Sequence, residues 1–70
     1  MSYKELNIID TLIELVGHEL DYEEEYNNCE NTDYVEELVN AKLWLLKKKK
    51  LPSIVVQSLF EDDVKKYLQK

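Results

Sequence analysis

Leu6, Ile9, Ile13, Val16 and Leu20 follow one another at intervals of three and four residues. That interval marks one face of an α-helix, and no proline interrupts it. Ile8, Leu12 and Leu15 widen the face to roughly half the circumference at about 3.6 residues per turn. The spacing predicts a helix from about Tyr3 to about Tyr26. A helix resting on a single neighbour needs a narrower stripe. Contact with two neighbours is therefore expected: another helix of the same chain, and either a third helix or a second copy. Asn7, Asp10, Thr11, Glu14, His18, Asp21 and Glu25 take the opposite face. Gly17 weakens the middle of this helix by ~1 kcal/mol relative to alanine. The sequence alone does not distinguish a close helix crossing there from a tolerated glycine.

Residues 27–32, Asn-Asn-Cys-Glu-Asn-Thr, read as a loop, since Asn and Thr side chains compete for backbone hydrogen bonds. Asp33 is then the expected N-cap of a second helix over 33–49, with Glu36 completing a capping box. Tyr34, Leu38, Ala41 and Leu45 form its apolar row, flanked by Val35, Val39, Leu43 and Leu46. Acids open this helix and lysines close it, as the helix dipole favours. Pro52 breaks the chain. A third helix over about 53–69 is expected, with Ser53 as its cap and Val56, Phe60, Val64, Tyr67 and Leu68 on its inner face. The β-branched run Ile54-Val55-Val56 also suits a short strand, but a lone strand has nothing to pair with. The expected fold is all-α. It comprises one domain over 1–70, an antiparallel helical hairpin plus a third C-terminal helix, in a small bundle that dimerises.

Seventy residues give a marginal core, which small chains often reinforce with disulfides, metals or a second copy. Cys29 is the only cysteine and His18 the only histidine, so neither an internal disulfide nor a four-ligand zinc site can be built from one chain. Residues 21–27 alternate oxygen-bearing side chains, yet the positions that would hold the glycine and the bidentate glutamate of a calcium loop are not so filled. Glycine-rich phosphate loops and nucleophile elbows are absent. His18 lies beside carboxylates, but the sequence offers no nucleophile to go with it. No enzymatic activity, cofactor or metal is expected. No segment approaches a membrane span, and no export signal is visible, so a cytoplasmic setting is expected.

Charge is the feature that bears on function. From Glu5 to Ala41 there are twelve Asp and Glu residues and no Lys or Arg; Lys42 and Lys47 to Lys50 follow. Net charge is −6. If the first two helices fold back on each other, the acids gather at one pole, and Lys4 and Lys47 to Lys50 at the other. Acids at the end of a helix oppose its dipole, so local stability does not account for those closing the first helix. The reading is an acidic protein-binding module, accessory or inhibitory, that docks on a basic partner. Asp21, Glu23, Glu24, Glu25, Glu36 and Glu37 supply the charge, and Tyr22, Tyr26 and Trp44 the aromatic contacts. A narrower version treats Asp10, Glu14, Asp21 and Glu25 as a row of phosphate mimics. The alternatives are a structural homodimer whose acidity only maintains solubility, and weak nucleic-acid binding through Lys47 to Lys50. The latter is disfavoured by the lack of arginine.

Overall fold

The computed structural model describes the backbone of residues 3–69 and the side chains of residues 7–69. Leu6, first in the apolar row, and Lys4, assigned to the basic pole, have side chains outside the described residues. Among the described residues there are three α-helices and no strand: α1 (Tyr3–Asn27), α2 (Thr32–Lys48) and α3 (Ser53–Asp63). A single wide turn of π type, Val64–Leu68, continues α3. The residues Ile54-Val55-Val56 are therefore helical. The overall extents are 37 × 23 × 16 Å. The longest dimension is about the length of α1 at ~1.5 Å per residue.

The caps fall differently from the sequence expectation. Asn31, not Asp33, caps α2: its side chain accepts the Tyr34 N–H at 3.3 Å, and its carbonyl accepts the Val35 N–H at 3.0 Å. Asp33 lies inside the first turn, where its charge still suits the dipole. Ser53 is likewise the first helical residue rather than the cap. Pro52 takes that place, and its carbonyl accepts the N–H groups of Val55 and Val56 at 3.0 and 3.1 Å. Both reversals use left-handed backbone at non-glycine residues: Asn28 and Cys29 after α1, Lys50 after α2.

Leu20, Val35, Val39 and Tyr67 form the buried centre, with Val16, Cys29, Leu38, Phe60, Val64 and Leu68 packed around it. Leu45, Leu46 and Val56 are buried as well. α1 packs on α2, and α3 with its terminal turn also lies mainly on α2. α2 is therefore the shared support. The wide terminal turn lets consecutive Tyr67 and Leu68 both pack on the core, the first buried and the second half-buried. Burying one side chain as completely as Leu20 stabilises the fold by about 1.5–3 kcal/mol. Gly17 has nothing within 4 Å of where a Cβ would stand, so no close crossing requires it.

Candidate docking surface

Because α3 sits on α2, one side of α1 is left without cover. Ile9, Ile13, Val16 and Leu20 turn inward and are half-buried or buried. Ile8, Leu12, Leu15, Tyr22 and Tyr26 are exposed, Leu15 at 59% and Tyr26 at 66%. On a 3.6-residue helix these five positions fall in one lengthwise strip, interrupted by Glu19. Tyr22 and Tyr26 meet with ring centres 4.9 Å apart and planes tilted by 41°. A shallow depression of about 260 Å³ opens at the other end of the strip, lined by Asn7, Ile8, Thr11 and Leu12. Monomeric proteins scatter exposed apolar side chains singly, so five of them aligned along one helix make this strip the candidate contact surface. The breadth of α1 was legible from spacing. Which half of it stays bare depends on the path of α3.

Two carboxylates beside the strip are held in place from within. Glu23, expected at the docking surface, is only 6% exposed. Asn27 Nδ2 donates to its Oε2 at 2.6 Å, and the Cys29 N–H donates to its main-chain carbonyl at 3.0 Å. Glu23 therefore closes the end of α1 and leaves the docking set. Glu19 accepts from the Tyr34 hydroxyl at 2.9 Å, which with partial desolvation raises the Tyr34 pKa. Glu24 is half-buried, whereas Asp21, Glu25, Glu36 and Glu37 are exposed.

Lysines from the second half of the chain reach several acids. Lys49 pairs with Asp10 at 2.7 Å, Lys42 with Asp63 at 3.1 Å and Lys66 with Asp21 at 3.4 Å. Two of the four carboxylates in the supposed phosphate-like row, Asp10 and Asp21, are thus already paired. Asp21 also accepts the Tyr67 hydroxyl at 2.6 Å. That bond lowers the Asp21 pKa, with the nearby Lys66 charge adding to it. Burial, reinforced by the same bond, pushes Tyr67 up to about 12. Nothing in the sequence pattern marks this contact, because it joins residues 46 positions apart.

Trp44 lies on the outer face of α2 and is 59% exposed, with Lys48 Nζ 4.9 Å from its ring centre. His18 is exposed and Cys29 half-buried. Among the described residues no group of three or more His, Cys, Asp or Glu side chains is placed to hold a metal ion, and no helix is long and apolar enough to cross a membrane. No protein-family model, curated protein or solved structure matches the chain.

Proposed function

We propose that this chain is a protein-binding module that takes a basic, amphipathic partner helix along α1. The observation that carries the reading is the bare strip Ile8, Leu12, Leu15, Tyr22 and Tyr26 on a helix whose described side chains include no lysine or arginine. Thr11 and His18 border one edge with Glu25 and Glu14 next beyond them, and Glu19 lies within the strip. An apolar strip with carboxylates within and near it favours a helix that carries leucines on one face and lysines or arginines beside them. Charge speeds the encounter, while the leucines and tyrosines supply the affinity.

The antiparallel hairpin belongs to this reading. Pairing of Glu19 with Tyr34 near the first reversal, and of Asp10 with Lys49 far from it, fits two helices running in opposite directions. Such a hairpin keeps Tyr22, Tyr26, Glu25, Glu36 and Glu37 towards one end of the molecule. We assign self-association to a different face, argued below, since two α1 helices side by side would bring together surfaces without a basic side chain.

The test uses a fluorescently labelled synthetic peptide of Leu and Lys at helical spacing, titrated by anisotropy. Binding to the wild-type chain is expected, weakening with salt. Leu12→Ser with Leu15→Ser should lower affinity by about tenfold or more. Equal affinity for a Leu–Glu peptide of the same pattern, or indifference to the double substitution, would end the proposal.

A further inference from the structure

The outer face of α2 carries a second surface that the docking strip does not use. Asp33, Glu36, Glu37, Asn40, Ala41, Trp44, Lys47 and Lys48 are all exposed. Acids occupy its first part, lysines its last, and the tryptophan stands between. Every other described lysine of known pairing turns towards its own chain: Lys42, Lys49 and Lys66 each meet an aspartate. Among the described residues, Asp33, Glu36, Glu37, Lys47 and Lys48 form no ion pair. Asp33 and Glu37 are four residues apart, so their like charges face each other across one turn, at a small cost to the helix. The helix dipole favours acids at the start and lysines at the end. It does not account for an indole directed into solvent between them.

We infer that this face binds a second copy of the chain, with the two α2 helices antiparallel across a twofold axis. The arrangement is self-complementary in charge. Asp33 and Lys48 are fifteen residues apart, about 22 Å along the helix, with Asn40 and Ala41 midway. An axis passing beside Asn40 and Ala41 brings Asp33 opposite Lys48 of the partner subunit, and Glu37 opposite the partner's Trp44. Every pairing then occurs twice, as an isologous interface requires. The small side chain of Ala41 at the axis permits close approach. Trp44, already stacked against Lys48, is the aromatic anchor at the middle of the patch. A hollow lined by Asp33, Glu36, Glu37 and Asn40 lies where the partner's basic end arrives. A parallel pairing is disfavoured, because it would set acid against acid and lysine against lysine.

Sedimentation equilibrium on the full chain, with paired charge reversals, tests the inference. Wild type should show twice the monomer mass of 8.4 kDa at micromolar concentration. Its affinity should fall by about tenfold or more between roughly 0.1 M and roughly 1 M salt, as the Debye length shrinks from about 10 Å to about 3 Å. Lys47→Glu with Lys48→Glu should be monomeric, and so should Asp33→Lys with Glu37→Lys. An equimolar mixture of the two variants should regain the dimer mass, because the reversed ends now match each other. Circular dichroism verifies that each variant is folded. Should either fail to fold, Trp44→Ser, on the exposed face, should weaken the wild-type dimer by about tenfold. The inference is overturned by a monomeric wild type, by reversals that dimerise like wild type, by a mixture that stays monomeric, or by a Trp44→Ser dimer of undiminished affinity. It is overturned equally if Leu12→Ser with Leu15→Ser abolishes the dimer, since that would place the interface on α1. Peptide binding by a monomeric wild type would leave the docking reading standing while this one fell.

Discussion

α1 presents two apolar rows of similar composition with opposite fates. Val16 and Leu20 pack into the core beside Val35, Val39 and Tyr67. Leu12 and Leu15, one turn away around the same helix, face outward. Both rows follow the same helical spacing, so periodicity does not separate them. What separates them is the placement of α3, which lies on α2 and leaves the far side of α1 without a lid. A broad apolar face therefore reports that cover is needed, and the tertiary path decides how much of it the chain itself supplies.

The sharpest way to break this contrast is to truncate one leucine from each row. Leu20→Ala should cost about 2–5 kcal/mol, through lost burial and the cavity left behind. In a domain of this size that approaches the whole stability, which is of the order of 3–5 kcal/mol. Leu15→Ala should shift stability by no more than about 0.5 kcal/mol. Urea unfolding of the two variants makes the comparison directly. Equal losses would mean that the outer row is also covered in solution.

Alkaline titration probes the covered side next. An unfolded tyrosine ionises near 10, whereas Tyr67 holds its proton to about 12. Its contribution is therefore complete below pH 10 and is lost as pH rises from about 10 to about 12, a loss of roughly 2–3 kcal/mol at most. Tyr34, raised by its bond to Glu19, and Lys66, raised by its contacts with Tyr67 and Asp21, act with the same sign. Stability followed by circular dichroism should fall across this window, and Tyr67→Phe should flatten much of the slope. A wild-type curve that stays level to pH 12 would contradict the buried hydroxyl.

The smallest effect sharpens the contrast from the backbone side. Gly17 faces open space, so Gly17→Ala should stabilise the helix by about 0.5–1 kcal/mol without touching either row. A loss of stability, measured by thermal unfolding, would mean that a neighbour approaches this turn in solution.

The three helices and the break at Pro52 were readable because spacing and proline act locally. Trp44 lies off the apolar arc of α2, a position that suits solvent or cover beneath α3 equally, and the path of α3 leaves it outward. The caps were legible only to within a residue or two, since Asn31 and Asp33 are both good capping residues and the backbone path selects between them. Glu23 lies four residues before Asn27, a spacing that permits their hydrogen bond, yet its burial also depends on how the chain turns at Asn28 and Cys29. The contact of Tyr67 and Lys66 with Asp21 spans more than forty residues and has no sequence signature.

Tyr67 is held by the wide turn that continues α3, and it is the buried residue of that turn. The innermost packing of α1 and α2 is thus plugged by one side chain from the turn after α3, much as a stopper closes a flask. Amide hydrogens around Leu20 and Val35 should exchange whenever that stopper lifts, well before α1 and α2 part.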